Sequence, residues 1–260
     1  MNERSGTTSG ATSATAIGID IGGSGVKGAV VDLVSGALVG PRRMLETPPS
    51  ASVAAVGEVV RQLAETLDAD DSQHREPIGV TFPGVVQSGV IRTAANFAPE
   101  WIGCNATELF TELLGRPVTV LNDADAAGVA EMTFGGHDRH GVVIMLTLGT
   151  GIGSALFHDG VMLPNSELGH LELGGVDAEK LASARVRTVE SLTWGQYAGR
   201  LERYLLLVEA VLWPRLIILG GGISRDAAQF VPLMTAVRTP VIAATLGNDA
   251  GIVGAALACR

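Results

Sequence analysis

Cysteine is scarce in this sequence: Cys104 and Cys259 are the only two in 260 residues. Two thiols make neither a disulfide framework nor a metal knuckle, which excludes the small secreted scaffolds and fits a reducing, cytoplasmic compartment. Basic residues are also few, 18 Lys and Arg against 27 Asp and Glu, for a net charge of −9. Nucleic acid is held by basic surface, so a general nucleic-acid binder is excluded and any anionic ligand must meet a local basic patch. No apolar run approaches the length of a bilayer span, and no membrane partner is expected. Residues 1–15, mostly Ser, Thr, Ala and Gly, lack the apolar centre of a secretory signal and carry too little apolar surface to order themselves. A disordered, solvated tail is expected there.

What is present is ample apolar content, 47% of residues, enough for the core of one large domain or two lobes. Apolar runs at 16–21, 26–32 and, more briefly, 37–40 read as a three-stranded meander. Val53, Val56, Val59, Val60, Leu63 and Leu67 keep helical spacing and predict a helix over 51–69. The runs "IGVTF" (78–82) and "PVTVLN" (117–122) are separated by about the length of a crossover and would add parallel strands to the same sheet.

A second start follows. "DIGGSGVKGAVV", from Asp20, and "TLGTGIGSALF", from Thr147, correspond with one residue dropped, each a strand, a glycine turn and a second strand. This internal repeat predicts a duplicated α/β fold with two glycine turns facing one cleft. The expected lobes are residues 16–121 and 122–247, with an apolar, small-residue helix over 248–260 packing back at their junction. A third glycine turn, "LIILGGGIS" (216–224), follows a strand and precedes an expected helix.

Four constellations can carry chemistry. In the first, Gly22, Gly23, Ser24 and Gly25 let a phosphate approach backbone N–H groups with no Cβ in the way. Asp20 ends the strand beside them and could hold Mg²⁺ through water. A type I′ hairpin with a solvent-facing Asp would explain the turn alone; the repeat makes a pair of phosphate loops the better reading. In the second, Asn122 and Asp123 leave a strand and enter a helix, where helix capping would explain one of them. The carboxyl ends of strands are also where open α/β sheets bind ligands, and a carboxylate there can take a proton from an attacking hydroxyl. Asp125 is the rival base, but two positions further into the helix it should point elsewhere.

The third is a glycine-rich loop, "NSELGHLELGGVDAEKLAS" (165–183), in which Glu167, His170 and Glu179 could fork onto adjacent sugar hydroxyls. A metal site is the competing reading there, and with no cysteine nearby the other ligands would all be carboxylates. The fourth is the basic set Lys180, Arg185, Arg187, Arg200 and Arg203, which is either a solvated helical face or a guide for a long anionic donor.

Six motifs in order, "DIGGSGVKG", "LNDADAAG", "LGTGIGSA", "ELGH", "LGGGIS" and "GNDAGIVGAAL", span residues 17 to 257 and resemble the ROK family of sugar kinases and repressors. Within it the chain is most similar to the polyphosphate-dependent glucokinases and glucomannokinases. The resemblance implies a two-lobed, actin-like (ribonuclease H-like) duplicated fold. It implies phosphorylation of the 6-hydroxyl of glucose, with mannose beside it, from inorganic polyphosphate, ATP or both, with Mg²⁺ as cofactor. Asp123 corresponds to the catalytic base and Asn122, Glu167 and His170 to sugar ligands, with Glu179 at the end of the "DAEKLAS" stretch and Gly84 and Asn96 in loops lining the sugar site. Asp20, Gly22, Gly23, Ser24, Gly25 and Lys27, then Gly149, Thr150 and Gly151, correspond to the two phosphate loops, and Gly220, Gly221 and Gly222 to the nucleoside-side turn. The family's cysteine-rich zinc motif is absent after "GH", so no zinc is expected. A helix-turn-helix repressor would need more than the fifteen or so residues before the first strand, and an actin-like motor would have no use for "ELGH" with "DAE". An ATP-only kinase of another hexose stays open. The expected partners are hexose, donor and at most a second copy of the chain.

Overall fold

Strand β1 (Thr15–Ile21) is apolar along nearly its whole length and buried, and β2 (Gly25–Asp32) returns antiparallel to it with Asp20 opposite Lys27. The computed structural model describes residues 15–70 and 77–259. The expected tail therefore lies outside the described residues, except for Thr15, which begins β1. Strand β3 (Leu38–Glu46) completes the meander and runs six residues beyond the expected end near residue 40. It passes through Pro41, which an edge strand tolerates because the missing N–H would face away from the sheet.

Helix α1 (Val53–Asp70) leads to β4 (Ile78–Phe82), then to a small hairpin of β5 (Val86–Gln87) and β6 (Val90–Ile91). Helix α2 (Ala106–Leu114) starts on Asn105, whose side chain accepts the Glu108 N–H, and β7 (Val118–Asn122) follows. β4 lies parallel to β1 and β7 parallel to β4, so the first sheet has the order β3-β2-β1-β4-β7. Val56, Val60, Leu63 and Leu67 of α1 bury against it together with Phe82, Trp101 and Phe110.

The second half repeats this plan. After α3 (Asp123–Phe134), strands β8 (Val142–Leu148), β9 (Ile152–His158) and β10 (Val161–Leu163) form an antiparallel meander. Helices α4 (Glu179–Ala182), α5 (Ala184–Val189) and α6 (Trp194–Leu212) precede β11 (Leu216–Gly220), and α7 (Ala227–Phe230) precedes β12 (Val241–Ala243). β11 adds parallel to β8 and β12 parallel to β11, giving β10-β9-β8-β11-β12. Meander first, parallel additions second, in both sheets: this is the actin-like duplication. The helix expected after the third glycine turn is a 3-10 segment, Gly222–Asp226, followed by only four α-helical residues.

Helix α8 (Ala250–Leu257) lies between the two sheets, packed with α3. It fits because its neighbours have no side chains at the contact: a Cβ on Gly18 would overlap the Ile252 carbonyl, and one on Gly79 the Ala255 carbonyl. From the helix side, a Cβ on Gly254 would overlap the Ala126 carbonyl of α3. Ala29 and Val31 from the first sheet and Val143 and Phe157 from the second close the same apolar cluster around α8. Among the described residues no helix is long and apolar enough to cross a membrane.

Candidate active site

The C-terminal end of β7 opens onto a cleft of about 920 Å³. Asn122 caps α3, its Oδ1 accepting the Asp125 N–H at 2.9 Å, while its Nδ2 donates to the Gly84 carbonyl at 3.0 Å. That capping places Asp123 at the first helical position with its side chain on the cleft wall, where Oδ1 accepts the Ala124 N–H at 2.9 Å. Burial, then the charge of Asp20, and then Glu167 push the Asp123 carboxyl up to about 7. A carboxylate so placed is poised to exchange a proton near neutral pH.

Asp125 goes elsewhere. It is buried, with Oδ2 accepting the Asn165 N–H at 2.8 Å, and burial raises it to about 6.

Glu167, His170 and Glu179 share the cleft with Asp123, and Gly84 and Asn96 line it from the other side. His170 Nε2 stands 3.6 Å from Glu167 Oε2, and Glu179 Oε2 accepts the Ile152 N–H at 3.4 Å. Burial, with Glu179 adding to it and His170 opposing it, raises the Glu167 carboxyl. Ligand atoms of His170, Asp177 and Glu179 come within 4.8 Å of one another, a spacing a cation could bridge; Lys180 already places its ammonium 2.9 Å from Asp177.

The two glycine turns meet at the far end. Gly22, Gly23 and Ser24 line the cleft from one sheet and Gly149, Thr150 and Gly151 from the other. Each turn is pinned alike, Gly22 N–H to the Gly25 carbonyl and Gly149 N–H to the Gly151 carbonyl, both at 3.0 Å. Gly25 is buried behind its turn and Lys27 sits opposite Asp20 on β2, so neither lines the cleft. Asp20 lies just beneath: its Oδ1 accepts the Thr81 hydroxyl at 2.7 Å, and its Cγ would stand 3.0 Å from a Cβ on Gly251 in the first turn of α8.

Gly220, Gly221 and Gly222, expected at the nucleoside side, lie outside the residues that line this cleft; Gly221, at φ +80°, is wedged against the Leu148 backbone, and the Ser224 hydroxyl donates to its carbonyl. The five basic residues do not form one strip. Lys180 and Arg185 line the cleft, and the Arg185 N–H donates to the Gly149 carbonyl at 3.0 Å, tying α5 to the second glycine turn. Arg187 instead lies over the Trp194 ring, 3.5 Å from its centroid, and Arg200 pairs with Glu190 at 2.6 Å. Arg203 is exposed on α6 and does not line the cleft.

Sequence reasoning missed Thr93, Thr147 and Ser154 on the cleft wall, and Thr81 and Asn165 behind it. Thr147 and Ser154 stood inside the second glycine repeat, where a polar side chain pointing inward from a buried strand was the available signal.

Residues 16–184 match the ROK family. The polyphosphate glucokinase of Mycobacterium tuberculosis (strain CDC 1551 / Oshkosh) is 48% identical over 258 residues, 98% of this chain and 95% of that protein. The polyphosphate glucokinase of Mycobacterium leprae (strain TN) is 46% identical over 243 residues, 93% of this chain and 73% of that one. Among solved structures, the inorganic polyphosphate/ATP-glucomannokinase from Arthrobacter sp. strain KM superposes with a TM-score of 0.87 at 48% identity, covering 93% of this chain and 96% of that one.

Proposed function

This chain belongs to the ROK family and is a kinase, and we propose that it transfers the terminal phosphoryl group of inorganic polyphosphate, and of ATP, to the 6-hydroxyl of glucose and of mannose. The observation that carries the reading is the position of Asp123, a carboxyl raised to about 7 between a polar wall of Asn122, Glu167 and His170 and a pair of glycine turns. The relatives of highest identity described above bear the names polyphosphate glucokinase and polyphosphate/ATP-glucomannokinase, which supports the choice of sugar and donor.

Hexose sits against Asn122, Glu167, His170 and Glu179, with Gly84 and Asn96 facing it, each acceptor matched to a ring hydroxyl. Asp123 accepts the proton of the primary hydroxyl as its oxygen attacks the terminal phosphorus. The bond from phosphorus to the bridging oxygen breaks, and the shortened donor leaves with that electron pair. Backbone N–H groups of the two turns absorb charge on the transferred group. Mg²⁺, a hard cation that takes oxygen ligands, fits at Asp20, where Thr81 holds one carboxylate oxygen and the other is left for the ion's water shell. When bound it would neutralise developing negative charge on the phosphoryl oxygens. Residues 16–121 and 122–247 act as the two lobes that close over the substrates and keep water from the phosphoryl group. The free thiols of Cys104 and Cys259 agree with work in the cytoplasm.

Polyphosphate as donor is supported by Arg185, a basic residue of the cleft wall whose N–H is bonded to the second glycine turn at the Gly149 carbonyl. The test is a coupled assay of hexose 6-phosphate formation with each donor and each sugar. Activity with polyphosphate on glucose supports the proposal; activity with ATP alone, or with neither hexose, overturns it.

A further inference from the structure

The loop that carries Glu167 and His170 is held at its root by a residue from each half of the molecule. Asn165 has φ +57°, in the left-handed region that Asn tolerates better than most side chains. In that conformation its side chain makes two bonds to one residue of β5: Oδ1 accepts the Val86 N–H and Nδ2 donates to the Val86 carbonyl, both at 2.9 Å. Its own N–H is taken by Asp125 Oδ2 of α3 at 2.8 Å. One residue further, Ser154 of β9 holds the loop again, donating to the Ser166 carbonyl and accepting the Leu168 N–H at 3.0 Å. Val86 lies two residues from Gly84, whose carbonyl is bonded to Asn122. The two walls of the acceptor end, Gly84 and Asn96 on one side and Glu167 and His170 on the other, are therefore fastened together at Asn165.

We infer that Asp125 and Asn165 are positioning residues for hexose: Asp125 orients Asn165, and the Asn165–Val86 clasp sets the distance between the two sugar-binding walls before the donor arrives. Nothing in this role needs the Asp125 charge, only an oxygen that accepts the Asn165 N–H. A carboxylate two residues from the base thus has a geometric duty, and its amide should discharge that duty too. The inference rests on the acceptor being a hexose, as proposed above.

Four variants of the full chain test it: Asp125→Asn, Asp125→Ala, Asn165→Gly and the double variant Asp125→Ala/Asn165→Gly. Glycine relieves the positive φ, so Asn165→Gly removes the clasp without adding backbone strain, and thermal melting identifies any variant that fails to fold. Glucose affinity is read by calorimetry without donor, and sugar KM, donor KM and kcat by steady-state assay. The expected result is a weakening of glucose binding by about 10- to 100-fold, the loss of one or two well-placed hydrogen bonds, in Asp125→Ala and Asn165→Gly. Donor KM stays within about twofold, Asp125→Asn is close to wild type, and the double variant is no worse than the weaker single because the two residues act as a unit. Asp125→Asn losing turnover as deeply as Asp123→Asn would overturn the inference, as would folded variants that bind glucose normally or that lose sugar and donor affinity alike. Wild-type protein that binds no hexose would instead overturn the reading of the function itself.

Discussion

Asp20 near the end of β1 and Asp123, the residue just past β7, stand at the ends of strands two apart in one sheet, and after burial the charge of the first raises the carboxyl of the second. A base works only when deprotonated, so kcat/KM should be lost as pH falls through about 7 and be present above it. Removing the neighbouring charge with Asp20→Asn should move the Asp123 titration to lower pH. Carboxyl NMR of the substrate-free protein checks this directly, and an unmoved titration would mean that burial alone sets it.

Asp123→Asn should leave hexose binding roughly intact and lower kcat by about two to four orders of magnitude, the usual worth of a general base. It should also stabilise the fold at pH 8. With its folded value raised, Asp123 keeps its proton in the native state while the unfolded chain has lost its own, so its contribution to stability falls as pH rises from about 4 to about 7. Melting curves of both proteins at pH 4 and pH 8 should differ only at the higher pH.

The cleft-lining pair Lys180 and Arg185 should matter more for a long polyanion than for ATP. Lys180→Gln/Arg185→Gln is expected to raise the polyphosphate KM several-fold more than the ATP KM, and to flatten its dependence on salt. Arg187→Gln should behave differently, lowering thermal stability through lost contact with Trp194 while leaving the ratio of the two donor constants unchanged. Equal losses with both donors in the first variant would remove the basic guide from the account.

Metal dependence separates oxygen ligation at Asp20 from a cation at His170, Asp177 and Glu179. Chelation should abolish turnover, Mg²⁺ should restore it, and elemental analysis of purified protein should show no stoichiometric zinc. Zinc retained at one equivalent and lost in His170→Ala would place a resident metal in the sugar wall.

Gly79→Ala should destabilise the protein by about 2 kcal/mol or more, because the added methyl meets the Ala255 backbone rather than a side chain that could turn away. Chemical denaturation measures it, and a change below a few tenths would mean that α8 can shift.

Much of the fold was legible because its periodicities are local. The glycine turns at 22–25 and 149–151 stood out as a repeat, and the two sheets built on them share one strand order. Asn122 and Asp123 were readable because a helix cap after a buried strand has a sequence signature. What escaped reading depends on partners distant in sequence. Thr81 matters through a residue 61 positions away, and Asn165 through Val86, 79 away. The basic set misled for the same reason: as letters Arg185 and Arg187 are alike, yet the folded chain turns one to the cleft and the other onto Trp194 of α6. β3 outran its apolar run because it is an edge strand, paired on one side only and free to carry Arg42 and Arg43.

The place of α8 bears on how the protein is made. Gly18 of β1 packs on Ile252, so this strand waits for a helix more than 230 residues later. Until that helix emerges, Ala16, Ala29 and Val31 on the first sheet lack the α8 part of their apolar cluster. The nascent chain carries that face incompletely covered until α8 is made, and contacts at such separation close slowly. Ribosome-bound chains stalled before Ala250 should therefore be captured by holdase chaperones, and release should coincide with exposure of the α8 segment outside the exit tunnel.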